Sequence, residues 1–76
     1  MSQHFPAVRP AKVLKALQRA GFYIHHIKGS HHYLKHPNKP ELRVTVAMHD
    51  QDLKRKTLAS IIDQAGYTLE EFMKLL

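Results

Sequence analysis

The 76-residue sequence has no cysteine and no tryptophan, three glycines, and six acidic residues against twelve lysines and arginines. Without cysteine, neither a disulfide framework nor a thiolate zinc site can hold the chain. Its stability must come from packing, and cysteine usage says nothing about compartment. No apolar run approaches the roughly 20 residues needed to cross a bilayer, and the first residues, MSQHFPAVRPAK, lack the apolar segment of a secretion signal. No membrane partner is therefore expected, and the expected location is the cytoplasm. The shortage of acid leaves a formal net charge of +6 before any of seven histidines takes a proton. Such a balance points to a polyanionic partner, nucleic acid first. The length suits one domain with a small core.

Residues 1–9 carry Pro6 and the approach to Pro10 without periodicity, and read as a flexible N-terminal tail ahead of a single domain over residues 10–76. Val13, Leu14, Leu17 and Ala20 recur at helical spacing, with Pro10 suited to a first helical position and Gly21 to a left-handed stop. Phe22 to Ile27 and His31 to His36 are rich in aromatic and β-branched residues, and the Gly29-Ser30 pair between them fits a two-residue II′ hairpin. Leu42 to Ala47 alternates as a third strand after a Pro37-Asn38-Lys39-Pro40 turn. Leu58, Ile61, Ile62 and Ala65 then mark a second helix ended by Gly66, and Thr68-Leu69-Glu70-Glu71 has the form of a capping box opening a short third. The predicted fold is α+β: a three-stranded antiparallel sheet in the order α-β-β-β-α plus a short C-terminal helix, with the helices on one face and the other face free. The double-stranded RNA-binding domain has this architecture, although architecture alone does not assign a function.

Lys12, Lys15 and Arg19 share one stripe of the first helix, away from Val13 and Leu17. A solvated polar face accounts for that stripe as well as a binding surface does. Lys54-Arg55-Lys56 stands at the start of the second helix, where the macrodipole and unpaired amides disfavour cations, so an anion such as a phosphate is the expected compensation.

A histidine metal site is disfavoured by geometry. His32 and His36 would lie about 13 Å apart at roughly 3.3 Å per strand residue, and regular alternation sends His25 and His26 to opposite faces. No metal and no other cofactor is expected. Acid–base chemistry on RNA is a better match, because RNA carries its own nucleophile in the 2′-hydroxyl. A histidine titrating near neutrality can take that proton while cations stabilise the charge gathering on phosphorus. With Gly29-Ser30 in the turn, Lys28 and His31 form the first cross-strand pair, so Lys28, beside Ser30 and His31, can offer a cation to the scissile phosphate. Which of Tyr33 and Leu34 enters the core, and hence which way His31 faces, is not decided by alternation.

The stretch KGSHHYLKHP, then LRVTVAMH, then TLASIIDQAGYTLEEFMKLL, with the Gly21-Phe22 step before them, resembles the HicA toxin family of prokaryotic toxin-antitoxin systems. Order and spacing carry the resemblance over residues 10–76. It implies a fold similar to the double-stranded RNA-binding domain, a ribosome-independent endonuclease acting on mRNA, and a HicB-type antitoxin as protein partner. The histidine of the GSH element, here His31, is then the catalytic residue, with Gly29 and Ser30 in its turn. His36 and His49 match further family positions, where a structural hydrogen bond is the expected role. Ala47 stands where the family commonly has proline, and Lys56 where it has glycine. Two other readings compete with an endoribonuclease: a non-catalytic RNA-binding module and a metal-dependent phosphoesterase.

Overall fold

The computed structural model describes residues 4–76. The chain forms α1 (Pro10–Arg19), β1 (Tyr23–Lys28), β2 (His31–His36), β3 (Lys39–Ala47), α2 (Arg55–Gln64) and α3 (Leu69–Met73), with the strands in an antiparallel sheet of order β1-β2-β3. This is the expected α+β architecture. Among the described residues no helix is long and apolar enough to cross a membrane.

Both long helices stop where glycine lets them. After α1, the Gly21 N–H donates to the Gln18 carbonyl and the Phe22 N–H to that of Leu17. After α2, Gly66 and Tyr67 repeat the pattern on Asp63 and Ile62. These are Schellman motifs, which need a left-handed residue, and Gly21 and Gly66 supply it at φ +102° and +78°. The short α3 starts from the expected capping box: the Glu71 N–H donates to Thr68 Oγ1, and the Thr68 N–H donates to the Glu71 carboxylate. The Thr68 N–H, and after it the Thr68 hydroxyl, hold the Glu71 carboxyl below its ordinary pKa.

Val13, Ala16 and Leu17 of α1 and Leu58, Ile61 and Ile62 of α2 bury one face each against Leu34, Val44 and Val46 of the sheet, and Phe72 of α3 closes the core. Two expectations need correction. The third strand begins at Lys39 rather than Leu42, because the turn is the tight pair Pro37-Asn38, whose Asn38 N–H donates to His36 Nδ1. Pro40 is tolerated within the strand because β3 is an edge. The expected tail is also packed from Phe5 onward. Val8 is 3% exposed, its carbonyl accepts from the Leu53 N–H at 2.8 Å, and the Arg55 guanidinium lies over the Phe5 ring. A buried valine and a paired backbone anchor that segment; residues 1–3 lie outside the described residues.

His36 ties β2 to the end of α1. Its Nε2 is 3.1 Å from the Ala20 carbonyl, and its ring meets Phe22 edge-on, with centroids 5.0 Å apart. Because Nδ1 accepts from Asn38, the proton belongs on Nε2, which donates to Ala20. A Cβ on Gly21 would lie 2.7 Å from that same Nε2. Gly21→Ala therefore combines a positive-φ penalty of about 1–2 kcal/mol with loss of a hydrogen bond worth about 1 kcal/mol. The expected outcome in urea unfolding is a loss of about 2–3 kcal/mol.

Candidate active site

The direction of β2 follows from its single aliphatic residue. Leu34 is buried in the core, so by strand alternation His32 and His36 lie on the helix side while His31, Tyr33 and Lys35 line the open face. Three rows run across that face. Lys28, His31 and Ala47 form the first, His26, Tyr33 and Thr45 the second, and Tyr23, Lys35 and Arg43 the third. His31 is exposed, at the mouth of the β1–β2 turn and directly paired with Lys28. Gly29 at φ +59°, followed by Ser30 at negative φ, has the sign pattern of the expected II′ turn. The Met48 N–H donates to the Ser30 carbonyl at 2.8 Å, which holds the chain leaving β3 beside the turn.

A β-bulge between Ile24 and His26 interrupts β1 and corrects the expectation that His25 and His26 point apart. The extra residue breaks the two-residue alternation, and the two rings meet with their Nδ1 atoms 2.8 Å apart. One ring must donate and the other accept, so both cannot be charged in that arrangement. The pKa of His25 is lowered, first by the Lys35 charge and then by desolvation, His26 and Arg43. His26 also stacks on Tyr33, with centroids 4.4 Å apart and planes inclined by 12°, and Tyr33 lies 6.3 Å from His31. No group of three or more His, Cys, Asp or Glu side chains that could hold a metal gathers among the described residues.

The structure separates the other expected phosphate contacts from His31. Lys54, Arg55 and Lys56 are exposed at the start of α2, in the helix layer on the other side of the sheet. Among the described residues no side chain caps this helix, and no acidic residue stands in its first turn. Lys12 and Lys15 line a separate depression with Arg9 and Asp52, while the Arg19 guanidinium donates to the Leu75 carbonyl, a structural tie to the C-terminal segment. His49 Nδ1 accepts from the Gln51 N–H, so His49 carries the expected structural bond. Among the described residues, His32 Nδ1 is buried on the helix side without a hydrogen-bond partner.

Tyr33, His26, Lys35 and Arg43 share the open face with His31 and were not singled out from the sequence. The signal for Tyr33 and Lys35 was present in HHYLKH: assigning Leu34 to the core places both beside His31. The bulge that brings His25 to His26 left no such mark.

A family model described as "HicA toxin of bacterial toxin-antitoxin" matches residues 10–67. The chain belongs to the HicA toxin family. Its role is that of the toxin in a toxin-antitoxin pair. No curated protein sequence matches the chain. In this HicA-family chain the matched region holds the β1–β2 hairpin and all three rows of the open face, while Val8 and Phe72, both buried, lie outside it.

Proposed function

We propose that this toxin is an endoribonuclease that cleaves mRNA in the cytoplasm without a metal or cofactor, with His31 as general base. The observation that carries the proposal is the exposed His31 paired with Lys28 across a tight turn on the uncovered face of the sheet. Neutral His31 takes the proton of a ribose 2′-hydroxyl, and the freed oxygen attacks the adjacent phosphorus. The Lys28 ammonium stabilises the charge on the phosphorane oxygens, and the Ser30 hydroxyl is available to the same phosphate. The bond from phosphorus to the 5′-oxygen then breaks, the leaving oxygen takes a proton from water, and His31 returns its own proton to solvent. The products are a 2′,3′-cyclic phosphate and a 5′-hydroxyl. Lys12, Lys15, Lys54, Arg55 and Lys56, lying away from this face, serve as long-range attraction for the polyanion rather than as contacts at the scissile bond. A HicB-type antitoxin neutralises the toxin by covering the open face, with acidic groups or bulk over His31.

The test is incubation of the purified protein with single-stranded message in EDTA, followed by analysis of fragment ends. Cyclic phosphate and 5′-hydroxyl ends are the expected result. RNA that is bound but uncut would leave a binding module, and cutting that needs an added divalent metal would leave a metal phosphoesterase.

A further inference from the structure

The open face holds more than the turn with His31 requires. A groove of about 420 Å³ starts at Lys28 and runs on past His26, Tyr33, Thr45, Lys35 and Arg43, of a size that accepts a nucleotide-sized ligand. Three features bear on what the groove takes. His26 and Tyr33 are already stacked, so one flank of Tyr33 is supported by a parallel ring. On its other flank the register sets Thr45, a short side chain that leaves room above the sheet. One row further on, Lys35 and Arg43 stand opposite each other as a pair of cations, and among the described residues no carboxylate lines the groove.

We infer that the groove is a subsite for the nucleotide next to the scissile phosphodiester: its base stacks on Tyr33 over Thr45, as a third layer on the His26–Tyr33 pair, and the second phosphate from the scissile one lies between Lys35 and Arg43. This rests on His31 being the cleavage site. Successive rows are two residues apart along β2, about 6.6 Å at roughly 3.3 Å per residue. That step is comparable to the distance between neighbouring phosphates of an extended strand. The scissile phosphate is thus at His31, the stacked base one row on, and the second phosphate along the strand lies two rows and about 13 Å away, at Lys35 and Arg43. Stacking on a side chain demands an unpaired base, so the subsite selects single-stranded RNA and rejects duplex. It also gives His26 a function that needs no proton transfer, namely to hold the Tyr33 ring upright.

The experiment uses the full chain carrying His31→Ala, which prevents cutting, and a fluorescein-labelled single-stranded RNA oligonucleotide read by anisotropy. Adding Tyr33→Ala is expected to weaken binding about tenfold or more, while Tyr33→Phe stays within about twofold because the ring remains. The Tyr33→Ala loss should vanish on an oligonucleotide made abasic at the stacked position, found by scanning one abasic site along the strand. Lys35→Ala with Arg43→Ala should lower the slope of log affinity against log salt by about one to two. Duplex RNA at equal concentration should not displace the strand. Unchanged affinity in Tyr33→Ala overturns the subsite, as does a loss confined to Lys12→Ala with Lys15→Ala, or displacement by duplex. Because cleavage by the parent protein is scored separately, a nuclease with unaltered Tyr33→Ala binding would lose the subsite alone, whereas a parent protein that does not cut would remove the reading on which it rests.

Discussion

His31→Ala is expected to slow RNA cleavage by about 10²–10⁴-fold, the range over which a positioned general base contributes, while RNA affinity stays within a few fold. The residue is well placed for a clean result. It is exposed, and among the described residues its ring makes no hydrogen bond, so removing it disturbs neither core nor turn. Strand pairing of Lys28 with position 31 is carried by backbone and survives the change. A circular dichroism spectrum matching the parent protein would establish that the fold is intact. Cleavage in EDTA by His31→Ala at the parent rate would sink the assigned role and return attention to the rings of His25 and His26.

Phe72→Ala is expected to cost about 3–5 kcal/mol, the usual loss for a fully buried phenylalanine. A chain of this size is stable by only about 4–11 kcal/mol at 0.05–0.15 kcal/mol per residue, so this one side chain decides whether the domain stays folded. The expectation is notable because Phe72 lies beyond the region matched by the family, which ends at residue 67, yet is 0% exposed. It reaches the core from a five-residue helix held by the Thr68–Glu71 capping box. Such a helix cannot persist alone, and burial of its phenylalanine is what keeps it in place. Urea unfolding followed by circular dichroism measures the loss. Phe72→Leu, which keeps most of the apolar volume, should lose clearly less. A change below about 1 kcal/mol in Phe72→Ala would show that α3 is an appendage rather than part of the core.

The features that shape the open face and the core differ in their visibility in the sequence. Gly21, Gly66 and the Thr68–Glu71 box were legible because each acts within a few residues, through φ or a local hydrogen bond. The Gly29-Ser30 turn was legible for the same reason, and it brought Lys28 to His31. The anchoring of Val8 was not, since it depends on the Leu53 N–H, far along the chain. The basic residues misled in another way. Their clustering at the start of α2 was plain, but a charge run does not say on which side of a sheet it will lie.

What could be read from residue order was everything governed by short-range geometry: the kinds of element, where helices begin and end, and which residues meet across a two-residue turn. Long-range packing settled the rest. Burial of Leu34 turned His31 and Tyr33 outward, the bulge at Ile24–His26 rotated His25 onto its neighbour, and the helix layer carried Lys12, Lys15 and Lys54 away from the open face. A strand's two faces are equivalent until something packs on one of them, and that choice is made by the whole core at once.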